Sequence, residues 1–233
     1  MLRALIWDVD GTLAETERHG HRVAYNQAFE ELGLRWRWDE DLYAELLHVA
    51  GGRERLMHDM AARGDAPPGG PQRDALARAI HERKNLAYIS IVQEGVIALR
   101  PGVMRLVREC QQAGVLQAVA TTSSRANVAA LLHRAWGAKW RDIFAVDVCA
   151  EDTPAKKPDP LAYALALQRL GVAADQAFVL EDSPVGLQAA RAAGLRCGVT
   201  RSEFFADAAF DGAQWVRDSL DAPAPLMTLS GLV

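Results

Sequence analysis

Two textures of apolar residues divide the chain. Near the N-terminus Ala4, Leu5, Ile6 and Trp7 form an unbroken apolar run that stops at turn residues, the pattern of a strand buried on both faces. From 17 to 32 the apolar positions recur at helical spacing instead, at Val23, Ala24, Ala28 and Leu32, with Tyr25 and Phe29 beside them and Gly33 as a stop. Trp36, Trp38 and the pairs Leu42, Tyr43 and Leu46, Leu47 predict a second helix capped by Asp39, and a third begins after Gly51 and Gly52. The stretch 64–71 is a Pro- and Gly-rich loop, and a long helix follows over 72–93. No strand pattern occurs between 16 and 95.

Past that point strands and helices alternate. Pro101 and Gly102 open a helix that Gly114 ends, and 115–120 reads as a strand running into Thr121, Thr122, Ser123 and Ser124. A helix over 127–136, a strand over 143–149 and a helix over 161–170 closed by Gly171 come next. A strand over 177–180 ends at Glu181 and Asp182, a helix over 184–193 ends at Gly194, and 197–199 forms a further short strand. From Ala222 onward the pattern is weak, and an irregular surface segment is expected. Alternation of this kind predicts an α/β fold with a parallel sheet covered on both faces. Residues 1–15 and 96–233 then make one core, interrupted just after its first strand by an all-helical insertion over 16–95. That insertion stands over the carboxyl edge of the sheet, the place of a lid.

Composition narrows the function. The chain of 233 residues is half hydrophobic and carries a formal net charge of -4, enough for a sizeable core and without the basic excess that nucleic acid demands. No apolar stretch reaches membrane-spanning length, and the start runs straight into a strand with no signal segment to remove. Cys110, Cys149 and Cys197 are odd in number and scattered; they read as small buried side chains of a reducing cytoplasm, where the protein is expected to act as a monomer.

The chemistry gathers at strand ends. Asp8-Val9-Asp10-Gly11-Thr12 directly follows the first strand, and two carboxylates at the edge of a core are costly unless a cation or hydrogen bonds compensate them. A calcium loop of the helix-flanked kind would need a longer ladder of ligands before its glycine. Glu181 and Asp182 stand at another strand end, where one acid would suffice as a helix cap. Thr121 and Ser123 follow a third strand, as phosphate ligands or as a simple helix cap. Lys157, within Lys156-Lys157-Pro158-Asp159-Pro160, neutralises a phosphate or belongs to a solvated basic turn.

These four signatures, in this order, resemble those of the haloacid dehalogenase-like hydrolases, and the resemblance spans nearly the whole chain. It implies a Rossmann-like core with a C1-type helical cap. Glu15-Thr16-Glu17, the run 20–26, Gly51-Gly52-Arg53-Glu54-Arg55 and Ala98-Leu99-Arg100-Pro101-Gly102 are also similar to the CbbY group, sugar-bisphosphate phosphatases related to β-phosphoglucomutase.

The resemblance implies that Asp8 is a nucleophile forming an aspartyl-phosphate, and that Asp10 protonates the leaving oxygen and then activates water. It implies Thr121, Thr122, Ser123 and Lys157 at the phosphoryl group. It also implies Mg²⁺ held by Asp8, the main-chain carbonyl of Asp10, Asp182 and, close by, Glu181. From the cap, Glu17, His21, Arg53, Arg55 and Lys84 are candidates for the distant part of the substrate, and Ser123, Ser124, Arg125 and Asn127 for a second phosphate from the core side.

A carboxylate attacking a phosphate dianion meets like charge, a repulsion of roughly 4 kcal/mol at about 4 Å in an intermediate dielectric, so a dication and Lys157 have a clear task. The resemblance implies Mg²⁺-dependent hydrolysis of a small sugar phosphate, with xylulose 1,5-bisphosphate cleaved to xylulose 5-phosphate as the leading case. A β-phosphoglucomutase-like mutase, a phosphatase of another metabolite such as phosphoglycolate, and a Mg²⁺-binding phospho-switch are the rivals.

Overall fold

The computed structural model describes residues 1–223 and 227–232. Six strands form one parallel sheet in the order β3-β2-β1-β4-β5-β6. They are β1 (Ala4–Trp7), β2 (Leu116–Ala120), β3 (Val146–Val148), β4 (Ala177–Glu181), β5 (Arg196–Thr200) and β6 (Trp215–Arg217). The apolar run of β1 lies at the centre, with Trp7 opposite Val119 of β2 on one side and Leu180 of β4 on the other. Because side chains alternate across a strand, Ala4 and Ile6 enter one core cluster and Leu5 and Trp7 the other.

The first cluster is covered by α8 (Leu161–Leu170) and α9 (Pro184–Ala192), through Ala162, Tyr163, Ala166, Leu187 and Ala190. The second is covered by α5 (Val103–Gln112) and α6 (Arg125–Trp136), through Leu106, Val107, Leu131 and Leu132. Parallel strands have their carboxyl ends on one edge. The residues after β1, β2 and β4 therefore meet there, although they lie far apart in the chain.

Between β1 and β2 the chain is helical, with a π-helical turn over Glu17–His21, then α1 (Arg22–Glu31), α2 (Glu40–Leu46), α3 (Gly52–Ala62) and α4 (Pro71–Gln93). Asp39 caps α2 by accepting the Leu42 N–H at 2.9 Å. Tyr25, Phe29, Trp36, Trp38 and Tyr43 give this cap an aromatic interior. Its polar tips are partnered, as burial demands. Trp38 Nε1 donates to Asp59 at 2.8 Å, Trp36 Nε1 donates to Asp65 at 2.9 Å, and Asn26 exchanges two hydrogen bonds with the Trp38 main chain.

The two strands of chain joining cap to core run side by side. Ala14 pairs antiparallel with Leu99, and the Arg100 N–H donates to Leu13 at 2.9 Å.

Three expectations change, and one strand is added. The predicted helix over 17–32 opens with a π-helical turn, which brings Gly20 and His21 inward. The strand expected over 143–149 is shorter, because Trp140–Ile143 forms a helical turn, α7, whose Trp140 packs into the core. Strand β6 has no forecast in the pattern, since three half-buried residues at a sheet edge leave no apolar run. In the tail, Met227 and Leu232 are buried against the second cluster instead of lying on the surface; residues 224–226 and 233 of that segment lie outside the described residues.

Candidate active site

A cleft between the sheet edge and the cap contains about 730 Å³ of space, part of it open to solvent. Asp8, Asp10, Thr121, Thr122, Ser123, Lys157 and Asp182 line it from the core, and Glu17, His21, Arg55, His81 and Lys84 from the cap.

Asp8 sits one residue past β1 and is buried. Its Oδ1 accepts a hydrogen bond from Lys157 Nζ at 2.6 Å, while its Oδ2 is buried with no partner. One oxygen is thus anchored and the other is free to react or to bind a cation. Lys157 Nζ also donates to Glu181 Oε1 at 2.6 Å and lies 3.0 Å from the Tyr163 hydroxyl, which itself donates to Glu181 at 2.6 Å. Glu181 Oε2 accepts from the Asp182 N–H at 3.0 Å and from the Ser183 hydroxyl at 3.1 Å. Both oxygens of Glu181 are therefore occupied.

Asp8, Glu181 and Asp182 each offer an oxygen within 4.8 Å of the others. Burial, and then the facing carboxylates, raise Asp182 well above the usual range; burial raises Asp8 likewise, against the pull of Lys157. Glu181 is lowered: burial opposes this, but Lys157 and the donors around its oxygens outweigh it. Buried acids that resist ionisation lack positive charge. A hard dication that takes carboxylate oxygens fits this donor set. Gly11 makes the close approach possible. Its φ is +85°, and a Cβ there would lie 2.0 Å from Asp182 Oδ2.

Asp10 faces the other way. Its Oδ1 accepts from the Thr16 hydroxyl at 2.6 Å and pairs with His21 Nε2 at 2.9 Å, and its Oδ2 accepts from the Ser123 hydroxyl. Burial pushes its pKa up, but His21 and the three hydrogen bonds prevail and hold it well below the usual carboxylate range. His21, expected at the substrate, lines the cleft and is also the partner of Asp10, and its ring stacks on Tyr88 with centroids 4.1 Å apart. Ser123 lines the cleft as well, with its hydroxyl donating to Asp10. Thr121 keeps its hydroxyl proton available, since its Oγ1 accepts from the Ser123 N–H at 3.1 Å.

On the cap side Lys84 is 4% exposed. It has no hydrogen-bond or ion-pair partner among the described residues; its ammonium lies 5.2 Å from the Tyr25 ring centre and 5.4 Å from that of Tyr88. Burial lowers its pKa to about 8. Glu17 accepts from the Tyr43 hydroxyl and stands 3.9 Å from Arg55, which also donates to Tyr43 and to the Leu46 carbonyl.

Arg53 does not join them. It is half exposed, pairs with Asp74 at 3.1 Å and is absent from the cleft lining, so of the two arginines in the first turn of α3 it is Arg55 that reaches the site. Arg125 is also elsewhere, tied to Asp147 and Asp152, whereas Ser124 Oγ and Asn127 Oδ1 are buried without partners at the start of α6.

Sequence reasoning missed Tyr163, which stands six residues after Lys157 and looks like a core aromatic, and His81, one turn before Lys84 on α4. The i, i+3 spacing of His81 and Lys84 was a usable signal. Burial lowers the His81 pKa to about 4.

A family model of haloacid dehalogenase-like hydrolases matches residues 2–194. The chain is similar to protein CbbY of Cupriavidus necator, 45% identical over 226 residues that cover 97% of this chain and 89% of that protein. Two crystal structures of CbbY from Rhodobacter sphaeroides share the fold, each with a TM-score of 0.91 and coverage of 100% of this chain and 99% of that chain. One, in complex with phosphate, is 41% identical; the other, a mutant in complex with xylulose-(1,5)bisphosphate, is 40% identical.

Proposed function

We propose that this chain, which belongs to the haloacid dehalogenase-like hydrolases and is a phosphatase of the CbbY kind, hydrolyses a sugar bisphosphate through an aspartyl-phosphate on Asp8. Xylulose 1,5-bisphosphate, giving xylulose 5-phosphate, is the leading substrate. The observation that carries this reading is the division of labour at Asp8: Oδ1 fixed by Lys157, Oδ2 unpartnered in a cleft that Asp10 shares.

In the first step Asp8 Oδ2 bonds to phosphorus, the bond from phosphorus to the sugar oxygen breaks, and that oxygen takes a proton from Asp10. In the second, water attacks the phosphoryl group, Asp10 accepts its proton, and inorganic phosphate leaves as Asp8 is regenerated. In the free site the clasp of Thr16, His21 and Ser123 holds Asp10 as a carboxylate, the form the second step needs; for the first step it takes up a proton from solvent as the anionic substrate binds beside it, and that proton leaves on the sugar oxygen. Lys157 and the Thr121 hydroxyl are placed to balance the phosphoryl oxygens. Asp8, Asp182 and the main-chain carbonyl of Asp10 would hold Mg²⁺, with Glu181 outside them as the holder of Lys157. The ion supplies charge neutralisation for an anion meeting an anion.

Lys84, Arg55, Ser124 and Asn127 offer a cation pair and two unpartnered oxygens for the sugar hydroxyls and the second phosphate. We place the enzyme in the cytoplasm as a monomer; no helix of the described residues is long and apolar enough to cross a membrane.

Phosphate release with magnesium, across xylulose and ribulose 1,5-bisphosphates, fructose 1,6-bisphosphate, glucose 1-phosphate and phosphoglycolate, tests the reading. Steady release that is fastest from xylulose 1,5-bisphosphate supports it. Return of the phosphoryl group to sugar, or a preference for a monophosphate, overturns it.

A further inference from the structure

Arg100 lies in the second chain joining cap to core, within the stretch Ala98-Leu99-Arg100-Pro101-Gly102, and the proposed chemistry leaves it without a task. It is buried, yet its main partners are main-chain carbonyls, not carboxylates. One terminal nitrogen donates to the Gly11 carbonyl, to the Thr200 carbonyl at 2.9 Å and to the Thr200 hydroxyl at 3.1 Å. The other donates to the Arg201 carbonyl and, at 2.8 Å, to the Asp218 carbonyl. Its Nε faces Glu15 Oε1 at 3.1 Å. The six acceptors exceed the five N–H groups of a guanidinium by one, so one N–H is shared between the Thr200 carbonyl and hydroxyl; an ammonium, with three donors on one atom, serves far fewer.

The partners are not a random set. Gly11 follows Asp10 in the turn after the nucleophile and packs directly on Asp182. Glu15 belongs to the first joining chain and Arg100 to the second, and the two chains are already paired through Ala14 and Leu99. Thr200 and Arg201 mark the end of β5. One side chain therefore touches both hinges, the turn that carries the acid–base group, and the fixed rim of the sheet. We propose that Arg100 is a positioning residue that couples the placement of the cap to the turn bearing Asp10, so that the acid–base carboxylate is in register with Asp8 only when the hinges are seated. The inference rests on the phosphatase chemistry of the site and is independent of which sugar is the substrate.

Its test uses the full chain with magnesium and two substrates, xylulose 1,5-bisphosphate and p-nitrophenyl phosphate, with kcat corrected for the folded fraction read by near-UV circular dichroism. Arg100→Lys and Arg100→Met are expected to lower kcat on both substrates by about tenfold or more. Glu15→Gln leaves the bond to Gly11 in place but weakens the hinge contact, and is expected to lower kcat on both substrates, by less than Arg100→Met does. A lower melting temperature with wild-type kcat on both substrates would make Arg100 a structural brace and overturn the proposal. So would a loss confined to the bisphosphate, which would place its action in the cap alone. If Arg100→Met does not fold, Arg100→Lys and Glu15→Gln decide by the same criteria. If the wild type turns over the aryl ester but not the bisphosphate, the substrate assignment fails, and the aryl-ester kcat of Arg100→Lys still supports or overturns the role of Arg100.

Discussion

His21 of the cap reaches Asp10 of the core, with Nε2 2.9 Å from Oδ1. A residue that arrives only with the cap thus shares in setting the charge of the acid–base carboxylate. His21→Gln is expected to lower kcat on the sugar bisphosphate by about 100-fold, the lower end of the scale of general acid–base catalysis. The measurement is steady-state phosphate release, and a wild-type kcat would show the contact to be dispensable.

Asp8→Asn is expected to abolish turnover without loss of the fold. Burial raises the Asp8 pKa in the folded chain, so its ionised form opposes folding. Stability from this group is highest when it is protonated, and declines as pH rises from the ordinary carboxylate value through the raised one. The neutral variant, without magnesium, should therefore melt no lower than the wild type. Magnesium should raise the wild-type melting temperature, by about 2.7 kcal/mol of stability at 100 times the dissociation constant. The shift should be smaller in Asp182→Asn. Thermal melts with and without the ion check both statements.

Lys84 has a lowered pKa of about 8. It is a cation below that value and neutral above it, so binding of a phosphate dianion weakens as pH rises through about 8. KM for the bisphosphate should climb over that interval while kcat on p-nitrophenyl phosphate follows its own course. Lys84→Arg should remove the climb, since a guanidinium does not titrate there. The same shift means that the folded chain binds fewer protons here than the unfolded one between about 8 and the ordinary lysine value, so this group's contribution to stability rises with pH in that window.

Gly11→Ala should be severe for so small a change. The positive φ alone costs about 1–2 kcal/mol for a residue with a Cβ, and the added carbon would displace the Asp182 carboxylate 2.0 Å away. The expected outcome is loss of magnesium-dependent activity together with a lowered melting temperature, measured on the same preparation.

The amino-acid order by itself determined the architecture. Unbroken apolar runs alternating with helical spacing yield a parallel sheet, and such a sheet has only one edge at which Asp8, Thr121 and Asp182 can meet. Local chemistry also marked the acids, because two carboxylates at a strand end have no structural use that one would not serve. What tertiary structure decided was how each polar group spends its hydrogen bonds. Ser123 and His21 go to Asp10, Glu181 holds Lys157 with the help of Tyr163, and of the candidates Arg53 and Arg55 only Arg55 lines the cleft. Those assignments depend on distances between residues separated by tens of positions, and neither period nor composition carries that information. The buried tail and the edge strand β6 escaped for the same reason: each is stabilised by what it packs against, not by a pattern of its own.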